Sequence, residues 1–161
     1  AKPAPLQVQA VNVEQLLEDT LGLLSNRFLK DGVELRKAFG TNGLSIQADT
    51  NQLKQVLLNV ILNSLEAMPA GGRLEVRTAV RDSTLRISIA DTGCGIPPEH
   101  LERLWDPFFT TKERGMGLGM AIVKGVVERH GGRIAIRSEP GQGTEVDIAL
   151  PLAGSQPPTR R

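Results

Sequence analysis

The chain has 161 residues, of which 40% are hydrophobic, and a formal net charge of +1. This length suits one domain with its own core, and the small charge gives no reason to expect nucleic acid as a partner. No apolar run is long enough for a membrane span, so we expect no membrane contact by these residues. A single cysteine and the lack of an apolar leader favour a cytoplasmic location.

The first half of the chain alternates strand and helix patterns. Its last helix carries apolar residues at a 3.6-residue period and is followed by Pro69 and two glycines, which end helices. The patterns predict an extended linker (1–10), a strand (11–13), an amphipathic helix (14–29), two strands (33–39 and 44–48) and the periodic helix (51–68).

The second half contains two stretches that alternate apolar and polar residues around turn sequences, a pattern typical of β-hairpins. Strands and helices in this order favour an α/β (α+β) fold, a two-layer sandwich with a mixed sheet and helices on one face. The predicted elements are a hairpin (73–80 and 84–90), a short helix (98–104), a longer helix (118–130), a second hairpin (133–138 and 144–150) and a disordered tail (153–161).

A carboxylate flanked by glycines follows one predicted strand. Asp91 comes directly after the strand-like run 85–90, and Gly93 and Gly95 follow it within four residues. Glycine has no Cβ, so the backbone here can pass close to a ligand. We interpret Asp91 as one end of a nucleotide site.

A second glycine cluster precedes the last predicted helix. Gly115, Gly117 and Gly119 open the apolar run 120–127. Free N–H groups at a helix start favour an anion, so this cluster is a candidate phosphate-binding loop. It matches neither the dinucleotide-binding fingerprint nor the Walker loop. Alone, the cluster is also compatible with a flexible loop before a packed helix.

Three polar residues interrupt the apolar helix over 51–68. Asn59, Asn63 and Glu66 are spaced i, i+4 and i+7, so they share one edge of the helix. Burying an amide costs free energy unless it finds a partner. One possibility is a pair of satisfied asparagines at the helix–sheet boundary. The other is that an amide oxygen binds Mg²⁺, a hard cation that also takes phosphate oxygens.

Five motifs in order resemble the catalytic, ATP-binding domain of two-component sensor histidine kinases. This family belongs to the superfamily of gyrase, the mismatch-repair ATPases and related chaperones. Only residues 113–114 separate the third motif from the fourth, as in the short-lid, nitrogen-regulation type. The motifs are NVILNSLEA (59–67, N box), DTGCGI (91–96, G1 box), DPFFTTK (106–112, F box), GMGLGMAIV (115–123, G2 box) and GQGTEVDIALP (141–151, glycine–threonine box).

The resemblance implies the Bergerat fold, with a mixed, mostly antiparallel sheet, and ATP and Mg²⁺ as cofactors. It implies that 11–152 form the ATP-binding domain and that 1–10 lead in from a missing dimerisation and phosphoacceptor domain. The expected reaction is transfer of the ATP γ-phosphate to a histidine on that domain. The expected partners are that domain and a cognate response regulator. The whole kinase is expected to be a bacterial homodimer, cytoplasmic or membrane-anchored.

The resemblance also assigns roles to single residues. Asp91 should accept a hydrogen bond from the adenine amine and so select ATP over GTP, and the Thr144 hydroxyl should support the same edge. Asn63 should bind Mg²⁺ with Asn59 beside it, and Lys112 should contact the γ-phosphate; these three form the expected catalytic set. The other expected nucleotide contacts are Gly93, Gly95, Ile96, Phe108, Arg114, Gly115, Gly117, Leu118 and Gly119.

Other functions share these motifs. An ATP-hydrolysing switch of the gyrase or mismatch-repair type would carry a glutamate as general base where this chain has Asn59. A serine kinase of the anti-sigma type and a binding adaptor with a decayed site are the further alternatives. Neither His100 nor His130 lies in a helical hairpin with an adjacent acid, so we expect neither to be the phosphoacceptor.

Overall fold

A computed structural model describes residues 5–107 and 116–152, without the side chains of 116–118. The elements in chain order are β1 (Gln9–Asn12), α1 (Val13–Leu23), α2 (Ser25–Asp31), β2 (Val33–Phe39), β3 (Ser45–Ala48), α3 (Thr50–Glu66), β4 (Gly72–Arg81), β5 (Thr84–Asp91), α4 (Pro98–Leu101), α5 (Met116–Arg129), β6 (Arg133–Glu139) and β7 (Gly143–Pro151).

The main sheet has five strands in the order β2-β4-β5-β7-β6. Strand β2 runs parallel to β4, and the other neighbours are antiparallel. Alternate residues of the central strands, such as Leu74, Ile87 and Ile148, are fully buried beneath α1, α3 and α5. The predicted two-layer sandwich, with a mixed and mostly antiparallel sheet, is confirmed.

The opposite face of the sheet is polar. The Arg137 guanidinium lies 2.8 Å from Glu145 Oε1 and 3.4 Å from Asp147 Oδ2. Burial and the neighbouring Glu145 carboxylate raise the pKa of Asp147, whereas Arg137 opposes this change. Charged side chains across neighbouring strands suit a sheet face that is open to solvent among the described residues.

Helix α3, which carries the N box, begins at a side-chain cap. Asp49 Oδ1 accepts a hydrogen bond from the Gln52 N–H at 3.1 Å, and Oδ2 accepts one from the Gln7 N–H at 2.9 Å. Such a cap satisfies N–H groups that have no partner inside the helix. These hydrogen bonds lower the pKa of Asp49. Strand β1 begins at Gln9, so the extended segment predicted over 1–10 overlaps an element of the fold.

Two predicted helices differ from the structure. The single helix predicted over 14–29 is two helices, because the Leu24 N–H turns back to the Leu21 carbonyl three residues before it. This break directs Phe28 of α2 into the core, where it is 6% exposed. The helix predicted over 98–104 ends at Leu101, and Leu104 continues in a turn with its N–H bonded to the Leu101 carbonyl.

Among the described residues, no helix combines the length and apolarity that a bilayer crossing requires.

Candidate nucleotide-binding site

Asp91 lies at the carboxyl end of β5 with only 7% of its surface exposed. Its Oδ1 atom accepts hydrogen bonds from the Gly93 N–H at 2.8 Å and the Thr144 N–H at 3.3 Å. Burial raises the pKa of Asp91, and hydrogen bonds from Gly93, the Ser64 hydroxyl and Thr144 partly offset this rise. Within the described residues, no cation is among the groups that act on the Asp91 carboxylate. Burying such a carboxylate is costly, so its presence fits a site that receives a hydrogen-bond donor.

The glycines after Asp91 pack against the protein's own backbone. A Cβ on Gly93 would lie 2.5 Å from the Ala67 carbonyl oxygen at the end of α3, and one on Gly95 would lie 2.1 Å from the Glu139 carbonyl oxygen. The intervening Cys94 N–H donates to the Ala67 carbonyl at 3.0 Å. The two glycines therefore let this loop lie between α3 and the β6–β7 turn. The approach of a ligand to these glycines, which the sequence led us to expect, stays a prediction beside this packing role.

The Thr144 hydroxyl faces a residue that the sequence did not single out. Its Oγ1 atom lies 2.7 Å from Ser138 Oγ, and the same Ser138 oxygen accepts a hydrogen bond from the Ile96 N–H at 2.8 Å. Ser138 and Thr144 are opposite each other in the β6–β7 pair. Ser138 thus joins the predicted residues Ile96 and Thr144, and only this strand register shows the connection.

Ser64 is a second residue that sequence reasoning missed. It follows Asn63 in α3, is 4% exposed and contributes a side-chain hydrogen bond to Asp91. A signal existed, because Ser64 is a polar residue within the buried stripe of α3. Its partner across the core was not visible in the sequence.

The amide of Asn63 has one satisfied and one unsatisfied end. Its Nδ2 donates to the Met120 sulfur at 2.9 Å, whereas its Oδ1 is buried and has no hydrogen-bond partner within the described residues. A buried oxygen without a partner costs free energy unless a ligand supplies one. The described part of the chain also contains no cluster of three His, Cys, Asp or Glu side chains that could hold a metal ion. One amide oxygen fits Mg²⁺, which commonly uses few protein ligands together with phosphate oxygens and water.

The start of α5 lies beside the other N-box asparagine. A Cβ on Gly119 would lie 3.7 Å from Asn59 Nδ2, and Asn59 Oδ1 accepts a hydrogen bond from Gln55 Nε2 at 3.2 Å. Gly117 and Leu118 are in the first turn of α5. The N-box asparagines and the second glycine cluster are therefore neighbours in space.

The predicted site residues form two groups. Asp91, Gly93, Gly95, Ile96 and Thr144 meet around the ends of β5 and β7, and Asn59, Asn63 and Gly119 meet where α3 packs on α5. The predictions for Phe108, Lys112, Arg114 and Gly115 lie outside the described residues.

His130 is occupied by structural hydrogen bonds. Its Nδ1 lies 2.8 Å from the Val126 carbonyl oxygen, and its Nε2 accepts the Asp49 N–H at 3.0 Å. Both contacts are satisfied when Nδ1 donates to the carbonyl and Nε2 accepts from the N–H group. A phosphoryl group on Nε2 would displace the Asp49 bond, which supports the expectation that His130 is no acceptor.

The family model "Histidine kinase-, DNA gyrase B-, and HSP90-like ATPase" matches residues 48–154. This match covers the N-box helix, both glycine clusters and the strands that carry Asp91 and Thr144. The chain belongs to this family.

Similarity to individual kinases narrows the assignment of the chain within this family. Sporulation kinase C of Bacillus subtilis (strain 168) is 38% identical over 153 residues, which are 94% of this chain and 36% of that protein. The catalytic domain of histidine kinase ThkA is 26% identical with a TM-score of 0.83 and covers 92% of this chain and 97% of ThkA's. Full-length ShkA in complex with AMPPNP is 33% identical with a TM-score of 0.85 and covers 99% and 34% of the two chains.

The chain spans between 21% and 36% of the length of the curated relatives that it matches. Within the family, it is an ATP-binding catalytic domain of the sensor histidine kinase type.

Proposed function

We propose that this domain binds Mg²⁺–ATP and transfers the γ-phosphate to a histidine on the dimerisation domain of a longer, homodimeric sensor kinase. The observation that carries this proposal is the buried Asp91 carboxylate, held by two backbone N–H groups at the end of β5. Rigid placement of a hydrogen-bond acceptor is what selective recognition of a base edge requires.

Asp91 is the adenine-recognising group in this proposal. Its Oδ1 is already engaged by Gly93 and Thr144, so the remaining carboxylate oxygen is the natural acceptor for the adenine amine. A guanine carbonyl at the same place would meet a carboxylate and be repelled. Ser64 supports this oxygen pair from α3, and Ser138 holds the Thr144 hydroxyl beside it.

Asn63 is the proposed Mg²⁺ ligand through its buried Oδ1, with Asn59 beside it. When bound, the cation would neutralise charge on the phosphate oxygens. Backbone N–H groups of Gly115, Gly117, Leu118 and Gly119 would contact the phosphates, because α5 begins at Met116 and the first turn of an α-helix has N–H groups without helical partners. Lys112 and Arg114 are the proposed side-chain cations for the same phosphates.

Asn59 favours transfer over hydrolysis. An amide has no useful basicity, and its Oδ1 is engaged by Gln55. A water molecule would therefore lack a general base at this position, and the γ-phosphate would await an acceptor supplied by another domain. A response regulator would take the phosphoryl group from that histidine.

The test uses γ-labelled ATP. The 161-residue chain alone should bind ATP, release phosphate slowly and gain no stable label on His100 or His130, because positioning of the acceptor supplies much of the rate. Adding the dimerisation domain of its parent protein should produce acid-labile, base-stable label on that domain. Such label on this chain alone would contradict the proposal, and rapid phosphate release would favour the ATPase switch.

A further inference from the structure

We infer that Met120 is a positioning residue that orients the Asn63 amide, so that the oxygen and not the NH₂ group faces the metal position. This inference rests on the proposed function of Asn63 as a Mg²⁺ ligand. Met120 lies in α5 one residue after Gly119, is 4% exposed, and its sulfur is 2.9 Å from Asn63 Nδ2. Within the described part of the chain, that sulfur is the amide's hydrogen-bond partner.

An asparagine amide can occupy nearly the same space in two orientations that exchange oxygen and nitrogen. A thioether sulfur accepts hydrogen bonds and has none to donate. In the reversed orientation of the Asn63 amide, Oδ1 would lie next to the Met120 sulfur, so two acceptors would face each other. The NH₂ group would then occupy the buried position that Oδ1 has in the structure. The sulfur therefore favours the orientation in which Oδ1 is left for a cation.

Asn59, the other N-box asparagine, has a different kind of hydrogen-bond partner from Asn63. Asn59 receives its hydrogen bond from Gln55, one turn earlier on the same helix. Asn63 instead receives its partner from α5, whose first turn contains the proposed phosphate contacts. Met120 thus joins the metal ligand to the helix that starts at the phosphate-binding loop.

The principal variant is Met120→Leu, which keeps the approximate volume and removes the acceptor. Met68→Leu is the matched control, because Met68 is 2% exposed and its sulfur has Thr92 Oγ1 as its partner, at 3.8 Å. Calorimetric titration would compare ATP with and without Mg²⁺. We expect Met120→Leu to weaken Mg²⁺–ATP binding about three- to ten-fold, the range of one net hydrogen bond. Metal-free ATP binding should change less than about two-fold.

A second measurement needs neither nucleotide nor metal. The side-chain ¹⁵N–H₂ resonances of Asn63 in the free domain should shift or broaden in Met120→Leu and remain unchanged in Met68→Leu. Met120→Gln provides a rescue, since its side-chain oxygen can accept from the amide and should restore part of the Mg²⁺-dependent affinity.

The inference is overturned if Met120→Leu leaves the Asn63 resonances and the Mg²⁺–ATP affinity unchanged, or if it weakens metal-free and Mg²⁺-dependent binding equally. Asn63→Ala separates this failure from that of the proposed function. If Asn63→Ala abolishes the Mg²⁺ effect and Met120→Leu does not, the positioning role alone is wrong. If Asn63→Ala leaves the Mg²⁺ effect intact, the metal role of Asn63 and the inference that rests on it are both wrong.

Discussion

Thr144 on β7 lies directly opposite Asp91 on β5, and its backbone N–H donates to the Asp91 Oδ1 atom at 3.3 Å. The central strand pair of the sheet therefore helps to hold the carboxylate that we propose to recognise adenine. Because the sheet positions Asp91, its recognition role can be tested without dismantling the fold.

Replacing Asp91 by asparagine should separate binding from folding. The amide side chain would keep an oxygen for the Gly93 and Thr144 N–H groups, but it would lose the charge that strengthens the bond to the adenine amine. We expect Asp91→Asn to lose ATP affinity by on the order of 10- to 100-fold. Burial raises the pKa of Asp91, which means that the charged carboxylate destabilises the folded state at neutral pH. Asp91→Asn removes this charge, so its unfolding temperature at neutral pH should not be lower than that of the unmodified domain.

Calorimetry with ATP and GTP measures this effect, and thermal unfolding provides the stability control. Ser88→Ala is a matched substitution, because Ser88 is on the same strand but hydrogen-bonds to Glu145 on the opposite face. It should bind ATP as the unmodified domain does. Equal affinity of the unmodified domain for ATP and GTP would contradict the adenine assignment.

Glu14 should make stability depend on acid pH. Burial raises the pKa of Glu14, but hydrogen bonds from the Thr78 hydroxyl and from the Thr41 and Gly43 N–H groups outweigh it and lower the pKa from 4.5 to about 2. Because the pKa of Glu14 is lower in the folded state than in the unfolded state, its carboxylate stabilises the fold at pH values above the unfolded pKa of about 4.5. This stabilisation is lost as the pH falls from about 4.5 through about 2.

Glu14→Gln should therefore lower the free energy of unfolding at pH 7, and the difference should disappear near pH 2. Each pKa unit corresponds to about 1.4 kcal/mol, but Glu14 is only partly buried, so we expect about 1–2 kcal/mol after solvent screening. Denaturant unfolding at several pH values measures this. Glu18→Gln is the control, since Glu18 forms an exposed ion pair with Lys37 worth about 0.5 kcal/mol or less. A pH-independent difference for Glu14→Gln would contradict the assignment.

Gly143 should tolerate no side chain next to Asp91. Its φ is 110°, and a Cβ would lie 2.0 Å from the Asp91 carbonyl oxygen. Gly143→Ala should destabilise the domain by at least about 3 kcal/mol, because it combines backbone strain with a clash between two strands. Gly141→Ala in the same turn has φ 79° and nothing within 4 Å of its Cβ, so it should cost only about 1–2 kcal/mol. Thermal unfolding of the two variants measures the difference. Equal losses of stability would contradict the prediction, because they would show that the structure relieves the clash at position 143.

Trp105 should report nucleotide binding. The ring is partly buried, and the Lys124 ammonium of α5 lies 5.0 Å from its centroid. Phosphate binding at the start of α5 should alter this contact, so tryptophan emission should shift when Mg²⁺–ATP is added. Asp91→Asn should show no shift at the same ATP concentration. An unchanged emission in the unmodified domain, with binding confirmed by calorimetry, would mean that the base of the F box does not respond.

The sequence determined the elements of the sheet and the long N-box helix, because their apolar periods of two and 3.6 residues are local and depend on few competing contacts. It also indicated Asp91, Asn63 and the second glycine cluster as candidate site residues. A carboxylate, an amide oxygen and a glycine-rich helix start can each bind part of a nucleotide or its metal whatever their neighbours are. The break at Leu24 was not predicted, since the pattern of apolar residues continues through it and only packing of Phe28 into the core accounts for the change of direction.

Contacts between distant parts of the chain were decided by the tertiary structure alone. Ser64 meets Asp91, Ser138 meets Thr144, and Met120 meets Asn63, and each pair depends on strand register or on how α3 packs against α5. A glycine-rich motif likewise could not show that Gly95 packs against the Glu139 carbonyl. Residue type determines what a side chain can bind, but the distance to its partner is set only when the elements pack.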